Sequence, residues 1–194
     1  MVQLRWYRHG FPEAPLANPN NNSTCLEILY GDNITYQFDI RREELEFPLA
    51  YSILVFDHLE RVIRLLKAIY REHNHYCVHV DRKSPSWYSM GMRRAATCLG
   101  SNVYIVPDDQ RVNVKWGRIT VLEPEIICAR ILHRASRKWK YWINLTGQEF
   151  PLRTNWELVT ALRALNGTNS VEAIYRRRDM DRFPRMPLSF NVSC

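Results

Sequence analysis

Residues 47–81 constrain the fold more than any other part of this sequence, because they predict a strand, a helix and a second strand in quick succession. Residues 49–56 are almost continuously apolar, which is typical of a parallel strand covered by helices on both faces. Apolar residues then recur at helical spacing, with basic residues between them, at Val62, Leu65, Leu66 and Ile69. Residues 75–80 are again apolar and β-prone. Two parallel strands joined by one helix form the opening unit of an open α/β sheet.

Two candidate site residues follow these strands. Open α/β sheets bind ligands beyond the carboxyl ends of their strands, where Phe56 and Asp81 stand. In one interpretation the Asp81 carboxylate accepts hydrogen bonds from a nucleoside, with Arg82 and Lys83 nearby as partners for phosphate. In the other interpretation Asp81 is a turn or helix-capping carboxylate. The residue types alone leave both interpretations open.

The alternation of strands and helices continues along the chain. Further strands are predicted at residues 102–106 and 139–145. Further helices are predicted from an N-cap at Ser84, from Gly117 with Pro124 either in the first turn or at a kink, and from an N-cap at Thr154 or Asn155. This order predicts a three-layer α/β sandwich around a mostly parallel sheet.

Three regions differ in composition. Residues 1–24 are rich in Pro and Asn and lack periodicity, which predicts an irregular stem or linker. Residues 25–170 carry the α/β pattern, and residues 171–194 are rich in Arg without a closing element. We therefore expect a domain that is truncated before its C-terminal half. No apolar run approaches the roughly 18–20 residues of a membrane span, and residues 1–16 lack the apolar core of a signal peptide.

The net charge of +7 is compatible with nucleic acid, an anionic membrane or a phosphorylated ligand. The basic residues are scattered, with local clusters only at residues 134–140 and 176–178. A nucleic-acid-binding surface would favour a basic stripe interleaved with aromatic side chains. The sequence therefore argues against a nucleic-acid partner, although a basic nucleic-acid-binding domain is kept as a remote alternative.

The sequons and cysteines indicate in which cellular compartment the protein resides. Six Asn-X-Ser/Thr sequons favour a lumenal or extracellular protein, where disulfides also persist, and they begin at Asn21, Asn22, Asn33, Asn144, Asn166 and Asn191. The sequon at Asn144 lies in a strand that we expect to be buried, where a glycan could not fit. Five cysteines leave at least one unpaired within the chain. Cys77 and Cys128 could equally be small core residues.

The familiar cofactor motifs do not occur in this sequence. Neither the Gly-rich dinucleotide pattern nor the Walker pattern follows the first strand. The one Asp-x-Asp match, Asp179-Met180-Asp181, stands among arginines without a preceding apolar strand, so we interpret it as a solvated charge cluster and predict no metal site. His79 is interpreted as a core histidine. Trp116, before Gly117, is either a stacking surface or a buried anchor.

Several segments share one register with a known family. They are FPLAYSILV, KAIY, HNHYCVHVDRKSP, RKWKYWINLTGQEFPLRTNWELV and LNGTN. Over residues 25–170 the chain resembles the core 2 branching β-1,6-N-acetylglucosaminyltransferases, family 14 of the glycosyltransferases. The resemblance implies a GT-A-like fold and transfer of GlcNAc from UDP-GlcNAc to a galactose or GalNAc of an O-glycan, with inversion and without a metal or other cofactor. It also implies a type II protein of the Golgi membrane whose catalytic part is lumenal, with its membrane anchor outside these 194 residues.

The same resemblance implies particular site residues. The donor nucleotide would contact seven positions, namely Leu54, Val55, Phe56, Asp81, Arg82, Lys83 and Trp116. Disulfides would join Cys25 to Cys98 and Cys77 to Cys128, which would leave Cys194 unpaired in this chain.

The resemblance places the catalytic groups elsewhere. The general base and the cationic side chains at the diphosphate would lie beyond Cys194, so no catalytic residue is expected within the chain, and the chain alone would be inactive. The first alternative is a non-catalytic UDP-sugar-binding relic.

Overall fold

A computed structural model describes Cys25, Ile28 and residues 40–169. The expectations for residues 1–24 and 171–194, including Asp179-Met180-Asp181 and Cys194, lie outside the described residues. The described elements alternate as expected, in the order α1 Arg42–Leu45, β1 Leu49–Val55, α2 Leu59–Ile69, β2 His75–Val80, α3 Ser86–Leu99, β3 Val103–Ile105, α4 Glu123–Ala135, β4 Tyr141–Thr146 and α5 Asn155–Ala164.

The four described strands form one parallel sheet in the order β3-β2-β1-β4. In the central strand, Ser52 lies opposite Cys77 of β2 and Asn144 of β4. The pairing of β1 with β2 confirms the predicted opening unit. Because β1 has a neighbour on each side and helices on both faces, almost every one of its side chains is buried, which explains its unbroken apolar run.

Helices cover both faces of the sheet, which confirms the α/β class. On one face, α2, α3 and α5 pack against the strands and bury Val62, Met92 and Val159 among the core residues. On the other face, α4 buries Cys128 and Leu132. The connections from β1 to β2 and from β2 to β3 move in one direction across the sheet, whereas the connection from β3 to β4 moves back past β1. Because these connections are right-handed, α4 lies on the opposite face from α2 and α3.

Three helix starts were predicted with different success. Helix α3 begins at Ser86, so Ser84 as its N-cap was wrong; the Ser84 hydroxyl donates to the Phe56 carbonyl at 2.8 Å instead. Helix α4 begins at Glu123, after a short 3-10 turn, so its predicted start near Gly117 was wrong; Pro124 lies in its first turn, where a missing N–H costs nothing. Helix α5 is capped by Thr154, whose hydroxyl accepts the Glu157 N–H at 3.2 Å.

Two disulfides tie these layers together. Cys25 is bonded to Cys98 at the end of α3, with Cα atoms 5.2 Å apart. Cys77 of β2 is bonded to Cys128 of α4, with Cα atoms 5.4 Å apart. Both pairings confirm those that the family resemblance implied, and the second joins the sheet to its covering helix through the core.

A buried polar relay, formed by Glu44, Asn155, Asn74 and the N–H of Leu49, connects the first and last described helices. Asn155 donates to Glu44 Oε1 at 2.6 Å and accepts from Asn74 Nδ2 at 3.2 Å. Asn74 in turn accepts the Leu49 N–H at 2.8 Å. Because buried polar groups need partners, each member fixes the position of the next.

Strand β4 differs from the prediction. Its side chains alternate between half-buried and exposed, and Asn144 is exposed, so the expectation that Asn144 is buried was wrong. In the described part of the chain β4 is an edge strand, and α4 only partly covers its second face. No helix within the described residues is long and apolar enough to cross a membrane.

Candidate functional site

The turns that follow β1 and β2 are joined at the carboxyl edge of the sheet. The Asp81 N–H donates to the carbonyl of Val55 at 2.8 Å, and the Ser84 hydroxyl donates to the carbonyl of Phe56 at 2.8 Å. Phe56 and Asp81 therefore lie side by side. Phe56 is 55% exposed, so its ring is available to a ligand at this edge.

Asp81 is held in one orientation although it stands at the surface end of a strand. Its side chain is only 9% exposed. Oδ1 accepts the Lys83 N–H at 2.8 Å, and the Lys83 ammonium lies 3.6 Å from Oδ2. The turn-carboxylate interpretation of Asp81 is thus observed. This role leaves the Asp81 carboxylate able to accept further hydrogen bonds, because a carboxylate can accept about four.

Arg111 fixes the backbone beneath this turn. Its guanidinium donates to the carbonyls of Val80 at 3.0 Å and Asp81 at 2.6 Å, and also to Asp108 Oδ1 at 3.1 Å. Hydrogen bonds from Arg111 and Arg93 hold the pKa of the Asp108 carboxyl below its ordinary value. Sequence reasoning missed Arg111; the only available signal was an Arg three residues after an Asp in a polar loop.

A loop after β3, residues 107–116, is bound to the end of β2. The Val112 N–H donates to Nε2 of His79 at 2.9 Å, and the Val112 carbonyl accepts the Arg82 N–H at 3.0 Å. The Lys83 ammonium donates to the carbonyl of Val114. His79 is 1% exposed, and burial lowers its pKa to about 4, so the ring is neutral and can accept this bond. This confirms His79 as a satisfied core histidine.

Trp116 lies at the end of this bound loop. It is 91% exposed, which excludes the interpretation of a buried anchor. The Lys115 carbonyl accepts the Arg118 N–H at 3.2 Å, and Gly117 has φ +73°, as the third position of a type II turn requires. Glycine supplies this φ without strain, so the turn presents the indole to solvent.

The last residues of β1, Leu54 and Val55, mainly stabilise the fold. Val55 is buried in the core, and the Leu54 carbonyl accepts the Gly147 N–H at 2.9 Å. A Cβ on Gly147 would lie 2.9 Å from Val62 and 3.2 Å from Val55, so only glycine lets the turn after β4 approach this closely. In that turn, Glu149 accepts the Thr146 N–H.

A cavity of about 520 Å³ lies between α2, β4 and α5. Its lining is mainly apolar, with Leu65, Ile143 and Leu158 among its members, and it includes none of the predicted site residues. Within residues 40–169, Cys25 and Ile28, no group of three His, Cys, Asp or Glu side chains could hold a metal ion.

An all-parallel α/β sheet with helices on both faces, and with polar and aromatic side chains at its carboxyl edge, defines an open α/β domain of GT-A-like architecture. Comparison with known proteins identifies the family within this class. The chain belongs to the Core-2/I-Branching enzymes, whose family profile matches residues 49–185. The resemblance inferred from the sequence motifs is thereby confirmed.

Individual relatives agree with this assignment. The chain is 42% identical over 135 residues to mouse beta-1,3-galactosyl-O-glycosyl-glycoprotein beta-1,6-N-acetylglucosaminyltransferase 4, covering 70% of this chain and 29% of that protein. It is 40% identical over 138 residues to the human enzyme numbered 3, covering 71% and 31%. A third relative, a human enzyme with the same name and no number, is 41% identical over 176 residues, covering 88% of this chain and 40% of that protein. The chain thus spans well under half the length of these relatives.

Proposed function

We propose that this chain forms the donor-binding part of a β-1,6-N-acetylglucosaminyltransferase, which transfers GlcNAc from UDP-GlcNAc to a galactose or GalNAc of an O-glycan. One observation carries the proposal: the carboxylate of Asp81 is held in one orientation at the carboxyl edge of the sheet, where the exposed Phe56 and the basic pair Arg82 and Lys83 also stand. The names of the relatives supply the reaction.

Each side chain has a defined part in this proposal. Asp81 accepts hydrogen bonds from the nucleoside through Oδ2, and because the Lys83 N–H already orients the carboxylate, little side-chain entropy is lost on binding. Phe56 and Trp116 supply apolar and stacking contact. Arg82 and Lys83 neutralise phosphate. Leu54 and Val55 shape the floor of the site through their backbone.

The reaction we propose is inverting and needs no metal. A carboxylate base removes the proton from the acceptor hydroxyl as that oxygen attacks the sugar, and cationic side chains stabilise the departing UDP. We assign the base to no residue of this chain, and beyond Arg82 and Lys83 we assign to it no cation at the diphosphate. The enzyme would act on the lumenal side of the Golgi membrane, anchored as a type II protein; the two disulfides support an oxidising compartment.

Calorimetry of UDP binding to residues 1–194 tests this proposal. Replacing Asp81 with Ala removes a charge-assisted bond of about 1.5–3 kcal/mol, so the affinity should fall roughly ten- to a hundredfold. Asp109→Ala is the matched control, because Asp109 is an exposed carboxylate of the neighbouring loop. Equal UDP affinity in the two variants would contradict the role of Asp81. Binding that required Mn²⁺ would contradict metal independence and would direct attention to Asp179-Met180-Asp181.

A second candidate function is UDP-sugar binding without catalysis. It is favoured by the state of Glu149, the carboxylate in the turn after β4, which accepts the Thr146 N–H and so helps to hold that turn. We interpret Glu149 as a turn carboxylate and assign it no role as a base. We therefore expect no GlcNAc transfer by residues 1–194 to a core 1 acceptor with EDTA present. Turnover under these conditions would show that the general base lies within this chain.

A further inference from the structure

Two of the six sequons lie in the described part of the chain, and the fold treats them differently. They begin at Asn144, in strand β4, and at Asn166, after helix α5. A sequon is only a sequence requirement, and its use also needs an asparagine amide that is free and surrounded by open space. The two positions therefore allow a direct comparison within one molecule.

Asn166 occupies an exposed turn with room around it. Its φ is +48°, in the left-handed region that asparagine tolerates well, and its N–H donates to the Arg163 carbonyl at 3.1 Å, as in a helix C-terminal cap. The next residue, Gly167, has φ +84°, and a Cβ built on it would meet no atom of the described residues within 4 Å. Asn166, Gly167 and Thr168 are all exposed.

Asn144 is exposed by area, but both polar atoms of its amide are hydrogen-bonded. Its Oδ1 accepts the hydroxyl of buried Ser52 at 2.7 Å, and its Nδ2 donates to Glu125 Oε2 at 2.9 Å. The backbone of Asn144 is paired with β1. A glycan on Nδ2 would replace one of its two hydrogens and would have to fit beside the Glu125 carboxylate, whose pKa is raised by burial.

We propose that Asn166 is an N-glycosylation site and that Asn144 is not, an inference that rests on the lumenal placement in the proposed function. The sugar donor would be a lipid-linked oligosaccharide diphosphate. In the transfer, Nδ2 of Asn166 forms a bond to the anomeric carbon and loses a proton, while the bond from that carbon to the diphosphate oxygen breaks and the lipid diphosphate leaves.

The location of Asn166 keeps the glycan away from the nucleotide edge. The Tyr141 hydroxyl accepts the Gly167 N–H at 2.9 Å and donates to the Thr168 carbonyl at 3.2 Å. Tyr141 begins β4 and lies opposite Leu49, which begins β1. The turn is thus held at the amino edge of the sheet, about 20 Å from the carboxyl edge for strands of this length. The glycan would leave the candidate UDP site uncovered.

The test uses the full chain behind a cleavable secretory signal peptide in cultured mammalian cells. Secreted protein with both disulfides formed is treated with peptide-N-glycosidase in heavy-oxygen water, and mass spectrometry then reports the occupancy of each sequon. We expect Asn166 to be occupied and Asn144 to be empty. Asn166→Gln should remove one glycan from the intact mass, whereas Asn144→Gln should remove none.

Two outcomes would overturn the inference, namely an empty Asn166 or a glycan on Asn144 in the secreted protein. Because the signal peptide imposes entry into the lumen, an empty Asn166 counts against this site and not against the proposed localisation. The proposed function is judged separately, by UDP binding to the same preparations. Asn166→Gln should bind UDP with unchanged affinity, and a loss in this variant would contradict the separation of the two edges.

Discussion

Acidification from pH 7 to pH 5 should destabilise this fold through His79, and His79→Gln should remove that part of the loss. The His79 ring is neutral because burial lowers its pKa to about 4; the Asp81 carboxylate opposes this shift and Arg111 adds to it. As a neutral ring it accepts the Val112 N–H, which binds the loop of residues 107–116 to β2. A Gln side chain places an oxygen near the position of Nε2 and does not titrate.

The expected magnitude follows from the two pKa values. In the unfolded chain the imidazole has its ordinary pKa of 6.5, so between pH 6.5 and pH 4 the unfolded state binds more protons than the folded state. The contribution of neutral His79 to stability is therefore fully present above pH 6.5 and is lost as the pH falls toward 4. For a folded pKa of about 4, the loss between pH 7 and pH 5 amounts to about 2 kcal/mol.

Urea unfolding followed by circular dichroism gives the free energy of unfolding of both proteins at pH 7 and pH 5. The measured quantity is the difference in pH dependence between wild type and His79→Gln, because His73 and His75, whose pKa values burial also lowers, contribute equally to both. We expect the wild type to lose about 2 kcal/mol more than the variant. Equal losses would refute the assignment of a buried, neutral His79.

Two further predictions concern the connections between layers. Asn155→Ala should lower the free energy of unfolding by about 2–3 kcal/mol, because buried Glu44 loses a donor at 2.6 Å. The control, Thr160→Ala on the same helix, should cost under about 0.5 kcal/mol. A small effect of Asn155→Ala in urea unfolding would contradict the relay. Cys25→Ser should remove the bond to Cys98 and lower stability by about 2–4 kcal/mol. Non-reducing peptide mapping of the unaltered chain that found Cys98 bonded to a cysteine other than Cys25 would refute the pairing.

Periodicity predicted the sheet and its helices well, because the physical cause is local. Strand β1 had to be buried on both faces to be so apolar, and α2 showed its buried face in the spacing of its apolar residues. The unbroken apolar run of β1 also made the orientation of Val55 unpredictable. A strand that is apolar throughout shows no alternation, so its sequence does not indicate which side chains point to the core and which to a ligand. The disulfide pairs required the family resemblance.

The loop of residues 107–116 could not be predicted, because it is held by contacts distant in sequence. His79 and Arg111 are bonded to backbone groups about 30 residues away, and such bonds leave no pattern in the neighbouring residues. Strand β4 misled for another reason. We expected this strand to be buried, whereas in the described part of the chain its second face is only partly covered.

The buried relay also has a consequence for synthesis on the ribosome. Glu44 and its donor Asn155 are separated by 111 residues. At about 5–20 residues per second, the carboxylate of Glu44 exists for roughly 6–22 s before that donor is made. Until then, docking of helix α1 in its final position would bury the Glu44 carboxylate without its Asn155 donor. The amino end of the domain must therefore remain hydrated until helix α5 has emerged, so docking of the first described helix waits for the last.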